Sequence, residues 1–278
     1  SRNQMVLNVT LPEVQTFIFN MIDDLLSKYD IDYIKWDANR PISQTGLSRE
    51  MWVRHIEAVY DIARRVKERY PHVLLEACAS GGGRVDYGML ENGFDDFWTS
   101  DNTDAYDRLT IQNTYSYVYP IKAMRAWVTD ANNRVTIPLR FKFHSAMMGT
   151  LGMGCNILKF TDEEMKLSAE LIEEYKEIRD VVQNGDFYRL NHTSRNNYYC
   201  YEYANESEAA LFVFLPQTQI ARTGVRIKLR GLDETATYTF MLAGAEVRKT
   251  GAYLMNHGID VKLSGDYAST IIKFKKSE

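Results

Sequence analysis

Residues 12–29 carry Val14, Phe17, Ile18, Met21, Leu25 and Leu26 at three- and four-residue intervals, the spacing that lays one apolar face along a helix. The run Ile31-Asp32-Tyr33-Ile34-Lys35-Trp36-Asp37 that follows is short, rich in strand formers and closed by polar residues. Helical spacing returns over 48–69 in Trp52, Ile56, Val59, Tyr60, Ala63 and Val66, with Ser48 placed to cap the N-terminus. His72 to Ala77 is a second short apolar run and leads into a glycine-rich turn. Phe94 to Ser100 is a third, and a helical stretch runs from Thr103 to Tyr117. Strand, polar loop and helix recurring at roughly 30-residue spacing predict βα units on a parallel sheet.

The rhythm then loosens. Arg134 to Leu139 and Cys155 to Phe160 read as further strands, with a Met- and Gly-rich segment from Met147 to Gly154 between them. A charged helix is expected over 162–183, with Met165, Leu167, Leu171, Ile172, Tyr175 and Ile178 as its apolar positions. Beyond Asn184-Gly185 the texture changes to short strands: Tyr198 to Tyr203, Ala209 to Phe214, Val225 to Leu229, Thr235 to Leu242, Val261 to Leu263 and Ser269 to Phe274. The fold class expected is α/β followed by all-β, with one domain over 1–185 and a β-sandwich over 186–278.

Composition narrows the function. Hydrophobic residues make up 45% of the 278 and charged residues 25%, a balance that excludes a disordered chain, a collagen-like repeat and a membrane bundle. Lys and Arg number 33 against 37 Asp and Glu, a net charge of −4, so nucleic acid is not an expected partner. No apolar stretch approaches the roughly 20 residues that span a bilayer, so no membrane partner is expected either. Cys78, Cys155 and Cys200 are too dispersed for a disulfide framework, no CxxC pair suggests zinc, and the five His show no ligand spacing. No metal site is therefore expected. Unpaired thiols, and residues 1–10 without the pattern of a signal peptide, point to the cytoplasm.

Four polar clusters each follow a predicted strand: Lys35-Trp36-Asp37, Glu76 to Arg84, Trp98 to Asp101, and Asn102-Thr103-Asp104. In a (β/α)8 barrel the C-terminal strand ends meet at one mouth, where Asp37 and Asp101 would face each other. Two carboxylates, one ionised and one protonated, are what glycosidic cleavage requires. Trp36 and Trp98 lie beside them to pack on sugar rings, and Lys35 offers a cation to orient hydroxyls or hold Asp37 ionised. Duller readings stand beside these. An Asp after a strand is commonly an N-cap or turn residue. Gly81-Gly82-Gly83 lacks the Lys-Ser/Thr of a phosphate loop. Cys78 reads as a packing or substrate-lining residue, His144 as a hydrogen-bonded structural one, and Glu163-Glu164 and Glu173-Glu174 as a solvated helix face. Spacing alone supports a barrel enzyme with two candidate carboxylates.

Three consecutive motifs carry a resemblance. Asp32 to Arg40 resembles the nucleophile motif of the retaining α-galactosidases of glycoside hydrolase family 36. Cys78-Ala79-Ser80-Gly81-Gly82-Gly83-Arg84-Val85-Asp86 is similar to that family's next motif, and Trp98 to Ala105 to the segment holding its acid/base. Weaker likeness continues through Phe141 to Gly154 and at Leu254 to Ile259. The resemblance implies a (β/α)8 TIM barrel followed by a β domain, with Asp37 as nucleophile and Asp101 as general acid/base. It implies a galactose subsite lined by Lys35, Cys78, Gly81 and Trp98. Arg2, in a segment like the family's Gly-Arg-Asn-Gln, would also reach the sugar. The implied reaction removes terminal α-linked galactose from melibiose or raffinose-type oligosaccharides with retention, without metal or organic cofactor. A homo-oligomer is a further implication, with no stoichiometry attached.

The chain departs from that family in two respects. The large N-terminal β domain and the Asp-Asp-Gly-Trp-like segment are not found, and residues 1–185 hold about five strand candidates where a closed barrel needs eight. The expectation is a partial barrel whose partner is the missing N-terminal part of the enzyme. Two other readings stay open: a non-catalytic sugar-binding or assembly module, and a transglycosylase resembling the raffinose synthases. N-acetylgalactosamine is an alternative to galactose.

Overall fold

The computed structural model describes residues 5–43, 45, 49–99, 103–130, 136–192, 197–218 and 224–277. Asp101, Arg2 and the expected cap Ser48 lie outside the described residues. Contacts divide the chain into two units, Ser1–Asp101 with Ala123–Arg125, and Asn102–Lys122 with Ala126–Glu278.

In the first unit, Pro12 opens α1 (Pro12–Lys28) at a position whose N–H has no helical partner to lose. Ile18, Ile22 and Leu26 are buried, whereas Phe17, Met21 and Leu25 are exposed. The predicted apolar face is therefore two stripes, of which the unit covers one. β1 (Tyr33–Asp37), α2 (Met51–Arg69), β2 (Leu74–Cys78), α3 (Tyr87–Glu91) and β3 (Asp96–Trp98) follow. α2 buries Val59, Ile62, Ala63 and Val66, and a large aliphatic side chain taken fully out of water contributes roughly 1.5–3 kcal/mol. Lys67 ties α2 to the sheet, its Nζ donating to Asp95 Oδ2 at 2.8 Å and to the Val73 carbonyl at 2.7 Å. β1, β2 and β3 pair in parallel, and Met124 and Arg125 at the start of β4 (Met124–Thr129) continue the ladder from Phe97 and Trp98.

The second unit begins with α4 (Ala105–Tyr115), whose first N–H groups are capped by the Asp104 carboxylate. α5 (Leu139–Ala146), β5 (Thr150–Gly154) and α6 (Asp162–Asn184) follow, the last opening on a Thr161/Glu164 capping box. The parallel-type sheet has the order β1-β2-β3-β4-β5. Strands in sequence order are the winding of a (β/α)8 barrel, as expected.

Two predicted strands are misplaced. Leu139 starts a helix, 131–135 lie outside the described residues, and Ile157–Lys159 form a 3-10 turn. β4 and β5 supply the strands instead. Every β4 residue but Arg125 is buried, so the alternation that marks a one-sided strand is missing. In β5 two glycines mask the signal, and a Cβ at Gly154 would run into the Trp127 indole.

The β region comprises β6 (Asp186–His192), β7 (Tyr199–Ala204), β8 (Glu208–Leu215), β9 (Val225–Ile227), β10 (Thr237–Leu242), β11 (Ala245–Thr250), α7 (Gly251–Asn256), β12 (Ile259–Val261) and β13 (Ala268–Lys276). One antiparallel sheet has the order β11-β10-β13-β8-β7-β6, and β12 pairs with β9 separately. Leu211, Val213, Phe240 and Phe274 of the large sheet share one core with Val225, Ile227, Ile259 and Val261 of the small one, the all-β architecture expected. β6, β11 and α7 go beyond the predicted elements; β11 is an edge strand with almost no buried residue, and so carries no apolar alternation. His144 is buried with Nδ1 2.9 Å from Ser269 Oγ, a structural role as expected.

Glu202 on β7 is wholly buried. Its Oε2 accepts from Arg230 N at 2.8 Å, while Oε1 has no partner among the described residues. Burial pushes its pKa up to about 8, against the opposing pull of Arg230. The carboxyl is protonated in both folded and unfolded states below about pH 4.5, so it costs nothing there. Its stability contribution falls as pH rises through the window up to about 8 and is level above it. Glu202→Gln, which keeps an acceptor for Arg230 N, should match the wild type in thermal unfolding at pH 5 and exceed it at pH 8.5. Parallel melting curves at both pH values would contradict this.

Candidate active site

Parallel pairing sets Lys35 opposite Glu76 and Asp37 opposite Cys78. Side chains two apart share a face, so Lys35 and Asp37 of β1 lie on the same side of the sheet, as do Glu76 and Cys78 of β2. Asp37 is exposed at the C-terminal end of β1, and Cys78 is buried beside it. The Cys78 thiol bonds to the Asp37 carboxylate; burial first, and that bond second, push the thiol up to about 11. Cys78 is thus a neutral donor to a carboxylate and a poor nucleophile.

The loops after the strands complete the surroundings of Asp37. Asn39 Nδ2 donates to Asp37 Oδ2, and Asn39 Oδ1 accepts from Ser80 N at 2.8 Å and Ser80 Oγ at 2.9 Å. Ser80 and Gly81 both have positive φ, +49° and +94°, so the turn after β2 doubles back toward the end of β1. Ala38 N donates to the Cys78 carbonyl at 3.0 Å, locking the two strand ends together. A cavity of about 520 Å³ takes its walls from Ile18 of α1, His55 and Val59 of α2, Trp36 and Arg84, so it lies on the helix side of the sheet and not on the Lys35 face, although Asp37 and Asn39 at the strand end also line it.

Lys35 Nζ sits 3.4 Å from the centroid of the Trp98 ring, a cation–π contact. Glu76 below it is buried, with Oε2 3.2 Å from Arg125 Nε, and Arg125 Nη2 is 2.8 Å from Asp96 Oδ2. Burial raises both carboxyls, Glu76 to about 7 and Asp96 to about 6, while Arg125 pulls each down.

Of the residues singled out in sequence, Lys35, Asp37, Cys78, Gly81 and Trp98 all fall on the first unit's strand ends and the turn after β2. Trp36 does not join them. The two-residue period turns its side chain to the other face, where it packs on Phe94, with ring centroids 6.1 Å apart, and under the Arg84 guanidinium at 5.3 Å. Asn39 and Glu76, which stand in the polar motifs without an assigned role, and Arg125, which stands outside them, are the further neighbours. Glu76 was legible, since Glu76-x-Cys78 repeats the spacing of Lys35-x-Asp37. Arg125 was not, because its strand was hidden. Among the described residues no group of three or more His, Cys, Asp or Glu is arranged to hold a metal ion, and no helix is long and apolar enough to cross a membrane.

The Melibiase family profile matches residues 1–185, and that of the glycosyl hydrolase family 36 C-terminal domain matches residues 198–274. Alpha-galactosidase C of Emericella nidulans is 38% identical over 98% of this chain and is covered over 36% of its own length. The crystal structure of the family 36 alpha-galactosidase AgaA from Geobacillus stearothermophilus superposes with a TM-score of 0.90 at 34% identity, covering 100% of this chain and 40% of that one. A variant of AgaA solved in complex with raffinose gives 0.89 at 33% identity, with the same coverage. The chain thus spans about two fifths of the length of the relatives it matches.

The turn beside Asp37 yields a paired test. A Cβ at Gly83 would stand 2.8 Å from the Ala79 carbonyl oxygen, whereas one at Gly82 would meet nothing nearer than 3.9 Å. Gly83→Ala should lower unfolding free energy by about 1–3 kcal/mol in urea, and Gly82→Ala should leave it unchanged or slightly higher. An equal loss in both variants would rule out the Ala79 contact as the cause.

Proposed function

The chain belongs to the Melibiase family, and from that premise we propose that it serves a retaining α-galactosidase acting on raffinose-type oligosaccharides, with Asp37 as nucleophile. The observation that carries this is the setting of Asp37. Its carboxylate is exposed at a strand end, oriented by the Asn39 amide and the Cys78 thiol, on the face that also carries Lys35. Asp101 is assigned the acid/base, and Arg2, Lys35, Cys78, Gly81 and Trp98 the galactose subsite. The raffinose-bound and stachyose-bound structures of AgaA variants support the substrate class.

In the first displacement Asp37 attacks the anomeric carbon as the glycosidic oxygen leaves with the proton of Asp101, forming a galactosyl ester. Asp101, now ionised, takes a proton from the water that cleaves the ester, and the α configuration is restored. The Lys35 ammonium, resting over the Trp98 ring, gives the sugar a hydrogen-bond donor that the ring helps to hold in place.

In the full-length protein, Asp37→Asn should reduce hydrolysis of an aryl α-galactoside to background. Asp101→Asn should cost about 10²–10⁴-fold in kcat where the leaving group needs a proton. Proton NMR of the first sugar released by the wild type should show α-galactose before mutarotation. β-Galactose appearing first, or unimpaired hydrolysis by Asp37→Asn, would defeat the assignment.

A further inference from the structure

We infer that Glu76 is a positioning residue for Lys35, its buried carboxylate holding the lysine ammonium over the Trp98 ring on the face of the sheet that bears Asp37. The two strands set Glu76 directly opposite Lys35. Glu76 is 1% exposed, and its two oxygens have different surroundings. Oε2 faces Arg125 Nε at 3.2 Å, whereas Oε1 has no hydrogen-bond partner among the described residues and faces Lys35 Nζ at 3.8 Å. The lysine stem is flexible and its head is a point charge, so a fixed countercharge decides where the ammonium rests.

Charge balance supports the arrangement. The groups facing Glu76 are Lys35 on β1, Asp96 on β3 and Arg125 on β4, with the Tyr33 ring 4.7 Å from the Arg125 guanidinium. Arg125 also holds Asp96 at 2.8 Å. One guanidinium cannot neutralise two buried carboxylates, so the second negative charge falls to Lys35. When Glu76 takes a proton that charge is gone, and Lys35 loses its anchor. Burial and the nearby Asp96 place this protonation at about pH 7.

The consequence for sugar binding rests on the α-galactosidase reading, but the placement of Lys35 does not, so the test has two arms. In full-length protein labelled with 13Cε-lysine, the Lys35 resonance, identified by its loss in Lys35→Met, should be shifted upfield by the Trp98 ring. It should move toward the ordinary lysine position as pH falls through about 7. In Glu76→Gln it should sit at the ordinary position throughout. A wild-type resonance already at that position, or one unchanged in Glu76→Gln, overturns the inference; the wild-type titration decides this even if the variant does not fold.

In the second arm, KM for an aryl α-galactoside should rise about tenfold in Glu76→Gln, with a much smaller change in kcat. Its pH dependence between 6 and 8 should flatten to the low-pH behaviour of the wild type. A variant that hydrolyses the substrate with unaltered KM and pH profile overturns the positioning role. If the lysine shifts behave as expected but the wild type cleaves no α-galactoside, the Glu76–Lys35 placement stands and the functional reading fails.

Discussion

The register between β1 and β2 is the constraint on which the candidate site depends. Lys35 faces Glu76 and Asp37 faces Cys78, and the pairing is secured at both ends by Leu74 N on the Asp32 carbonyl and Ala38 N on the Cys78 carbonyl. A slip of one residue would exchange Lys35 and Asp37 for Ile34 and Trp36 on the site face. Arg84 adds a further clamp, donating to the Trp36 carbonyl at 3.0 Å from the turn that follows β2. The exposed carboxylate, its thiol and amide donors, and the ammonium over an indole all inherit their positions from this ladder.

On that same face the ladder carries charge into the interior. Glu76, Asp96 and Arg125 come from three neighbouring strands, and each is nearly or wholly enclosed. Buried carboxylates are costly unless paired, and a packed apolar triad would be at least as stable. The fold therefore spends stability on charges beside Lys35, and holding that ammonium is the use proposed for them above. Ala126, Trp127 and Val128 of β4, by contrast, are buried and apolar.

Much of this was legible from the chain. α1, α2, α4 and α6 announce themselves by period, and β1 to β3 by short apolar runs ending in polar residues. Lys35, Asp37, Cys78, Gly81 and Trp98 stand at the strand ends and in the turn after β2, where the βα pattern puts its polar clusters; their roles come from the family resemblance. The failures have physical causes. Burial on both faces erases the alternation of β4, glycines disguise β5, and α1 has an apolar stripe that burial within its unit does not use. Proximity in sequence puts Trp36 beside Asp37, and the strand period sends its side chain to the other face. Asp101 and Arg2 lie outside the described residues, so their places rest on the motif alone.

If Asp37 is the nucleophile, a bond from its carboxylate to the sugar can be trapped. The full-length protein would be incubated with a fluorinated α-galactosyl fluoride whose ester hydrolyses slowly, then digested and mapped by mass spectrometry. One galactosyl equivalent per chain is expected, on the peptide bearing Asp37 and on that side chain. A label on any other carboxylate, Asp101 included, would contradict it.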